Sequence, residues 1–284
     1  AAPPGSICLV NGLDMLDLNT LQGSQVTSLT CDPGDVSASR DGNKVMMASS
    51  QFVYCLYDVA TSTWSHPRAT GFNGEGRLSS DGGVIWGGAR VLDGAGNQLS
   101  GLAKPDALFD FPLIINNDKF EVDIPQLNSS GSLLFSPLSQ YIDVFDARHG
   151  TLDFRIALAE HLQGPNNFNP AAFSLHSMDT SPLGDKVFLI TDAGLTVIQL
   201  DAVPLSISTI TPASSGPGTQ ITVRGSGFTA SSTVSLNGSP AATTFTDSTT
   251  LVVTVPPAAT GMQRATVLNL DGTSYSLDGA FRVP

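Results

Sequence analysis

Across 284 residues the chain carries a net charge of −12 on only 13% charged side chains. That balance excludes a basic face for a phosphate backbone, so nucleic acid is not an expected partner. Hydrophobic residues at 41% suffice for a core, yet no run of 18 apolar residues occurs, so no membrane-inserted helix is expected.

The length fits one large or two ordinary domains. Lys is confined to Lys44, Lys104, Lys119 and Lys186, and Glu to Glu75, Glu121 and Glu160. These residues normally cover surface helices, so their scarcity, with abundant Gly, Pro, Thr, Val and Ser, predicts strands and turns. The opening AAPPGS has neither Met nor a signal pattern, and is expected of a processed form or a piece of something longer. Cys8, Cys31 and Cys55 lie in the first fifth and form no metal-binding pattern. They are candidates for one disulfide plus one thiol, or for three buried small hydrophobes.

From Leu13 onward an apolar run ending in Asp recurs. It reads DMLDLNTL (Asp17), CLYDVATST (Asp58), ARVLDGAGNQL (Asp93) and IDVFDARHGTL (Asp146), with a weaker TVIQLDAV (Asp201). A polar turn and an apolar strand precede most copies: SASRDGNKVMMAS, RLSSDGGVIWGG, QLNSSGSLLFS and DTSPLGDKVFLIT. Asp-Gly and Ser-Gly pairs suit tight hairpins. Four strands per repeat at spacings of roughly 35–55 residues predict a β-propeller of about five repeats. GLAKPDALFDFPLIINNDKF and EHLQGPNNFNP are expected as inserted loops. The repeated Asp has a structural reading, its carboxylate accepting backbone N–H groups of the next turn.

Segments LYDVATSTW and VFDARHGTL resemble the propeller repeats of the YVTN and quinoprotein-like class, and the resemblance implies a fold rather than a function. Ile7–Val10 and Leu13–Leu18 fit the second and third strands of a first repeat that lacks its inner strand. The last repeat lacks an outer strand before Pro204. Either five repeats close irregularly, or the repeats are the C-terminal part of a larger propeller.

From Pro204 onward the texture changes to short alternating strands in which Thr, Ser, Val and Pro dominate, as in a β-sandwich over 204–284 following a propeller over 1–203. ITPASSGPGTQITVRGSGF contains Gly225-x-Gly227-x-x-Ala230. A dinucleotide loop must open a helix, whereas TASSTVSLNGSPAATTF follows with strand and turn character. The glycines are therefore expected to permit a backbone bend, with Phe228 in the core. This stretch, with VSLNGSPA, DSTTLVVTVPP, ATVLNLDG and FRVP, resembles an IPT/TIG immunoglobulin-like domain over 205–284. The resemblance implies a surface or extracellular protein. The DNA-binding branch of that family uses basic loops, and Arg224, Arg264 and Arg282 alone do not supply them.

No GxSxG, HExxH or EF-hand pattern occurs, and His66, His149, His161 and His176 are scattered, with His149 and His161 on loops. A copper cluster has little to draw on in Tyr54, Tyr57, Tyr141 and Tyr275. Asp35, Glu75 and Asp179 are the carboxylates on or beside inner strands that a propeller glycosidase would use. Trp64, Trp86 and Phe168 are candidate sugar platforms. Asn128 and Asn237 begin N-glycosylation sequons. The chain reads as an extracellular or cell-surface protein without catalytic residues or cofactor, structural or adhesive, whose partners are other protein subunits in a homo- or hetero-oligomer. The competing expectation is a secreted carbohydrate-active enzyme or glycan-binding propeller with an accessory sandwich. Exposed sandwich edges are the expected route to a neighbour's sheet.

Overall fold

A computed structural model describes residues 7–9, 13–17, 22–25, 35–48, 54–65, 76–87, 90–94, 96–101, 125–138, 141–160, 162 and 178–284. The chain is all-β, propeller-type sheets followed by an Ig-like sandwich, and it divides into two compact units, 1–105 and 106–284.

The first unit holds three antiparallel sheets. β1 (Ile7–Leu9), β2 (Leu13–Asp17) and β3 (Gln22–Gln25) form a three-stranded one. β4 (Asp35–Ala38), β5 (Lys44–Ala48), β6 (Tyr54–Asp58) and β7 (Thr63–Ser65) form a four-stranded meander. β8 (Gly76–Leu78), β9 (Val84–Gly87), β10 (Arg90–Asp93) and β11 (Gln98–Gly101) repeat it. The second and third sheets meet through Met46, Tyr54 and Leu56 on one side and Leu78, Ile85 and Leu92 on the other.

In the second unit β12 (Gln126–Leu127), β13 (Leu133–Leu138), β14 (Tyr141–Asp146) and β15 (Thr151–Ala157) form another four-stranded meander. β16 (Met178–Thr180), β17 (Lys186–Thr191) and β18 (Gly194–Gln199) form a three-stranded sheet. The sheets are joined by Leu133, Phe135, Ile142 and Val144 packing with Met178, Val187 and Leu189. Among the described residues, the sheets at the first and last expected repeats each hold three strands.

One turn recurs between the first and second strands of four sheets. In each, a polar residue (Ser39, Ser79, Asn128, Ser181) donates its N–H to the carbonyl five residues on. Its own carbonyl accepts the N–H of the glycine three residues on. Those glycines, Gly42, Gly82, Gly131 and Gly184, have φ of +71°, +68°, +69° and +73°. The polar side chain completes the turn. Lys44 N donates to Ser39 Oγ at 2.9 Å, Val84 N to Ser79 Oγ at 3.0 Å and Lys186 N to Ser181 Oγ at 3.0 Å. Asn128 Oδ1 instead accepts from Ser132 N at 2.9 Å and Leu133 N at 3.1 Å. The hydroxyls of Ser39, Ser79 and Ser181 in turn donate to Asp41, Asp81 and Asp185. The hairpin is thereby closed by groups within five residues of one another.

The sandwich comprises β19 (Ser206–Thr211), β20 (Gln220–Ser226), β21 (Thr233–Leu236), β22 (Ser239–Asp247), β23 (Thr250–Thr254), β24 (Gly261–Leu268) and β25 (Ser274–Val283). Its strand order is β19-β20-β23-β22-β21-β24-β25. β22 pairs with β21 through 239–241 and with β23 through 242–247, so this strand passes from one layer to the other. Ile221, Val223, Leu236, Val253, Val267 and Phe281 lie in the core between them. Ser214 and Arg282 form a parallel bridge that brings the chain just after β19 against β25. β19 and β25 are the two end strands of the sheet order, and they meet at this bridge.

The Gly-x-Gly stretch is a packing device. Gly225 lies in β20, where a Cβ would overlap the Ser206 carbonyl and sit 2.5 Å from Phe228 Cζ. Gly227 has φ +68°, and a Cβ there would stand 2.7 Å from the Val203 carbonyl oxygen. Phe228 is buried in the core, as the sequence reading requires. Gly225→Ala is expected to destabilise the protein by about 2 kcal/mol or more through overpacking. Gly216→Ala, whose Cβ would meet open space, is expected to be nearly neutral; equal melting curves for the two variants would refute this account.

Candidate functional site

Three of the repeated Asp side chains do what the sequence predicted. Asp58 Oδ1 accepts the N–H of Thr61 at 2.9 Å, and Asp93 Oδ1 that of Asn97 at 2.8 Å. The Thr61 N–H is the main reason the Asp58 carboxyl titrates below its ordinary range. Asp146 Oδ1 accepts from Arg148 N at 2.7 Å and His149 N at 3.2 Å.

Asp146 has further partners. Its Oδ2 lies 2.8 Å from His149 Nδ1, and Tyr275 of β25 donates its hydroxyl to Oδ1 at 3.1 Å. The His149 and Tyr275 rings lie 5.0 Å apart at 43°. The β14–β15 turn is thereby tied to the sandwich through one buried carboxylate. Burial, followed by the Asp146 charge, pushes the Tyr275 hydroxyl well above its ordinary range, so it remains a donor. Nearby, partial burial and then Asp146 push the Asp153 carboxyl up to about 6, against the pull of His149. Asp153 as a residue is exposed, and solvent screening reduces the consequence for stability.

Beside this joint lies a groove of about 610 Å³. Phe154, Val203 and Leu205 supply apolar walls, and Asp201, Asn269 and Asp271 polar ones. Asn269 is not free to move, because its amide donates to the Gly227 carbonyl at 3.0 Å and its oxygen accepts from Ser232 Oγ at 2.5 Å.

A second surface belongs to the last propeller-type sheet. Phe188 pairs with Val197, and Ile190 with Leu195, so all four side chains share one face. Leu195 is 69% exposed, Val197 51% and Ile190 40%. No fourth strand pairs with β18 among the described residues. The opposite face, with Val187, Leu189 and Met178, is buried against the preceding sheet.

Several expected site residues take other roles. Asn128 is fully buried, with both carbonyl and amide engaged, so a glycan has no access in the folded chain. Asn237 is exposed in a turn with φ +47°. Trp86 is 1% exposed and offers no sugar platform. Cys55 is buried and disulfide-bonded. Its partner's side chain falls outside the described residues, as do the side chains of Cys8, Cys31, Asp35 and Trp64. Glu75, His66, His161, Phe168 and His176 lie outside them entirely. Asp179 is exposed, and its carboxylate accepts the Thr180 N–H at 2.8 Å. Of the sequence candidates, the structure joins His149 and Tyr275 with repeat residue Asp146. That joint and the exposed face were not foreseen.

Residues 205–283 match the IPT/TIG domain family. No curated protein matches the chain. Among solved structures it is similar to an auxiliary nutrient binding protein from Bacteroides ovatus, with 20% identity and a TM-score of 0.26. That match covers 29% of this chain and 21% of the other, so the chain spans about a fifth of that protein's length. A surface glycan-binding protein of the B. ovatus mixed-linkage glucan utilization locus, in complex with a heptasaccharide, matches at 21% identity and TM-score 0.26. That match covers 35% of this chain and 28% of the other. Kuenenia stuttgartiensis hydrazine synthase matches at 11% identity and TM-score 0.43, over 94% of this chain and 89% of the other.

Tyr275→Phe removes one donor from Asp146 while leaving two backbone donors, and is expected to cost about 1–2 kcal/mol in denaturant unfolding. A change within error would show that the joint does not depend on this bond. Asp153 holds its proton more tightly folded than unfolded, so its contribution to stability falls as pH rises from the ordinary carboxylate range through about 6. Asp153→Asn is therefore expected to raise the melting temperature at pH 7.5 and not at pH 4; an equal shift at both would refute the assignment.

Proposed function

We propose that the protein is a non-catalytic extracellular or cell-surface component, structural or adhesive, that works through protein–protein assembly. In this reading residues 1–203 form the propeller part and 204–284 the sandwich. The carrying observation is one apolar face of the last propeller-type sheet, where Ile190, Leu195 and Val197 are exposed and Phe188 beside them is half-buried. Exposed apolar patches of this kind mark interaction sites. The IPT/TIG domain and the Cys55 disulfide support an oxidising, surface location. Low charge density favours broad contact, since few ionic groups need desolvating.

A second reading, glycan binding, is favoured by the groove that Phe154 lines together with the held amide of Asn269 and the carboxylates of Asp201 and Asp271. One experiment addresses both. The protein is extracted gently from its source and weighed under non-denaturing conditions, then titrated with soluble oligosaccharides. A particle well above 29.5 kDa is expected, and a particle of one chain would overturn the assembly reading. Oligosaccharide binding that is weakened in Asp201→Ala would support the groove, and its absence would dismiss it.

A further inference from the structure

The last two sheets carry the same surface at the same register. Phe135 pairs with Val144, and Pro137 with Ile142, in β13–β14. Phe188 pairs with Val197, and Ile190 with Leu195, at the matching places in β17–β18. In the earlier sheet Phe135, Ile142 and Val144 are wholly buried, packed by the next sheet. In the last sheet the equivalents of Ile142 and Val144, which are Leu195 and Val197, are exposed, and Phe188, the equivalent of Phe135, is half-buried. The face is therefore built for another β-sheet to lie on, a continuation of an interface the chain already makes once.

Resting on the assembly reading above, we infer that a second copy of this chain covers this face, through the same face of its own last sheet. The buried partner faces are already committed: Met46 and Leu56 pack with Ile85 and Leu92, and Leu133 and Phe135 pack with Val187 and Leu189. A second copy can offer the same face of its own last sheet, with Ile190, Leu195 and Val197 exposed and Phe188 half-buried. A two-fold contact of this kind is self-complementary. With strands running antiparallel across the contact, exposed Lys186 at one end of β17 meets exposed Asp192, in the β17–β18 turn, of the other copy. This pairing gives two opposite-charge contacts at the rim of an apolar centre. The face is small, so the dimer is weak and concentration-dependent.

The test is light scattering on the whole chain from about 1 to about 500 µM, where the apparent mass follows mass action. The expected result is a rise from 29.5 kDa toward twice that value. Leu195→Lys with Val197→Lys, substitutions at exposed positions, keeps the melting curve and abolishes the rise. Lys186→Asp weakens dimerisation about tenfold or more by opposing like charges, and Lys186→Asp with Asp192→Lys restores it. A chain of constant single mass overturns the inference, as does a dimer that survives the double Lys variant or ignores the charge exchange. A monomeric purified chain beside a large native particle overturns this inference alone, whereas a native particle of one chain overturns the assembly reading as well.

Discussion

A β-sheet with large apolar side chains on both faces is stable in water only when both faces are covered. That requirement organises the propeller part of the molecule. Tyr57 and Leu56 are neighbours on opposite faces of β6, and both are buried. The same holds for Ile85 and Trp86 in β9 and for Leu134 and Phe135 in β13. In β17 the pattern divides: Val187 and Leu189 are buried, while Ile190 is open. The last sheet thus satisfies the constraint on one side only.

Local and long-range forces have separate tasks in each sheet. The first turn is self-contained, with a polar side chain and a left-handed glycine closing the hairpin from residues within five positions. Register follows, because the turn decides which residue of the second strand faces which of the first. Packing between sheets then selects the faces. Phe188, on the open face, has the same backbone turn behind it as Phe135, on the covered one. The turn is indifferent to whether its sheet is covered; only the neighbouring surface differs.

Much of the fold was legible for this reason. Asp-Gly turns, alternating strands and Asp-terminated third strands are short-range signals, and they placed the turns at Gly42 and Gly82 and gave Asp58 and Asp93 their roles. The sandwich was equally legible through Gly225, Gly227 and Phe228, whose spacing is set by contacts within one corner. What stayed hidden depended on partners distant in sequence. Asn128 reads as a glycosylation site by its tripeptide, yet its amide completes a turn in which its counterparts use serine hydroxyls. Trp86 reads as a platform by its chemistry, yet the sheet buries it. Tyr275 lies 129 residues from the Asp146 it bonds, and no periodicity of either segment predicts that meeting.

The Asp146 joint shows how a repeated residue acquires a role its copies lack. Asp58 and Asp146 end equivalent strands and accept the same kind of backbone N–H. Asp58 spends its remaining capacity on the Thr61 hydroxyl, 3.0 Å away within its own turn. Asp146 instead meets His149 and Tyr275, so one carboxylate joins a turn, an imidazole and the sandwich. A carboxylate has about four lone-pair directions and a turn uses only part of them. The unused capacity costs little at a solvated turn such as that of Asp58. At Asp146, where the side chain is buried, leaving it unfilled would carry the penalty of an unsatisfied charge. The sandwich supplies the missing donor, so the contact that joins the two folds also resolves an electrostatic demand made by the propeller repeat.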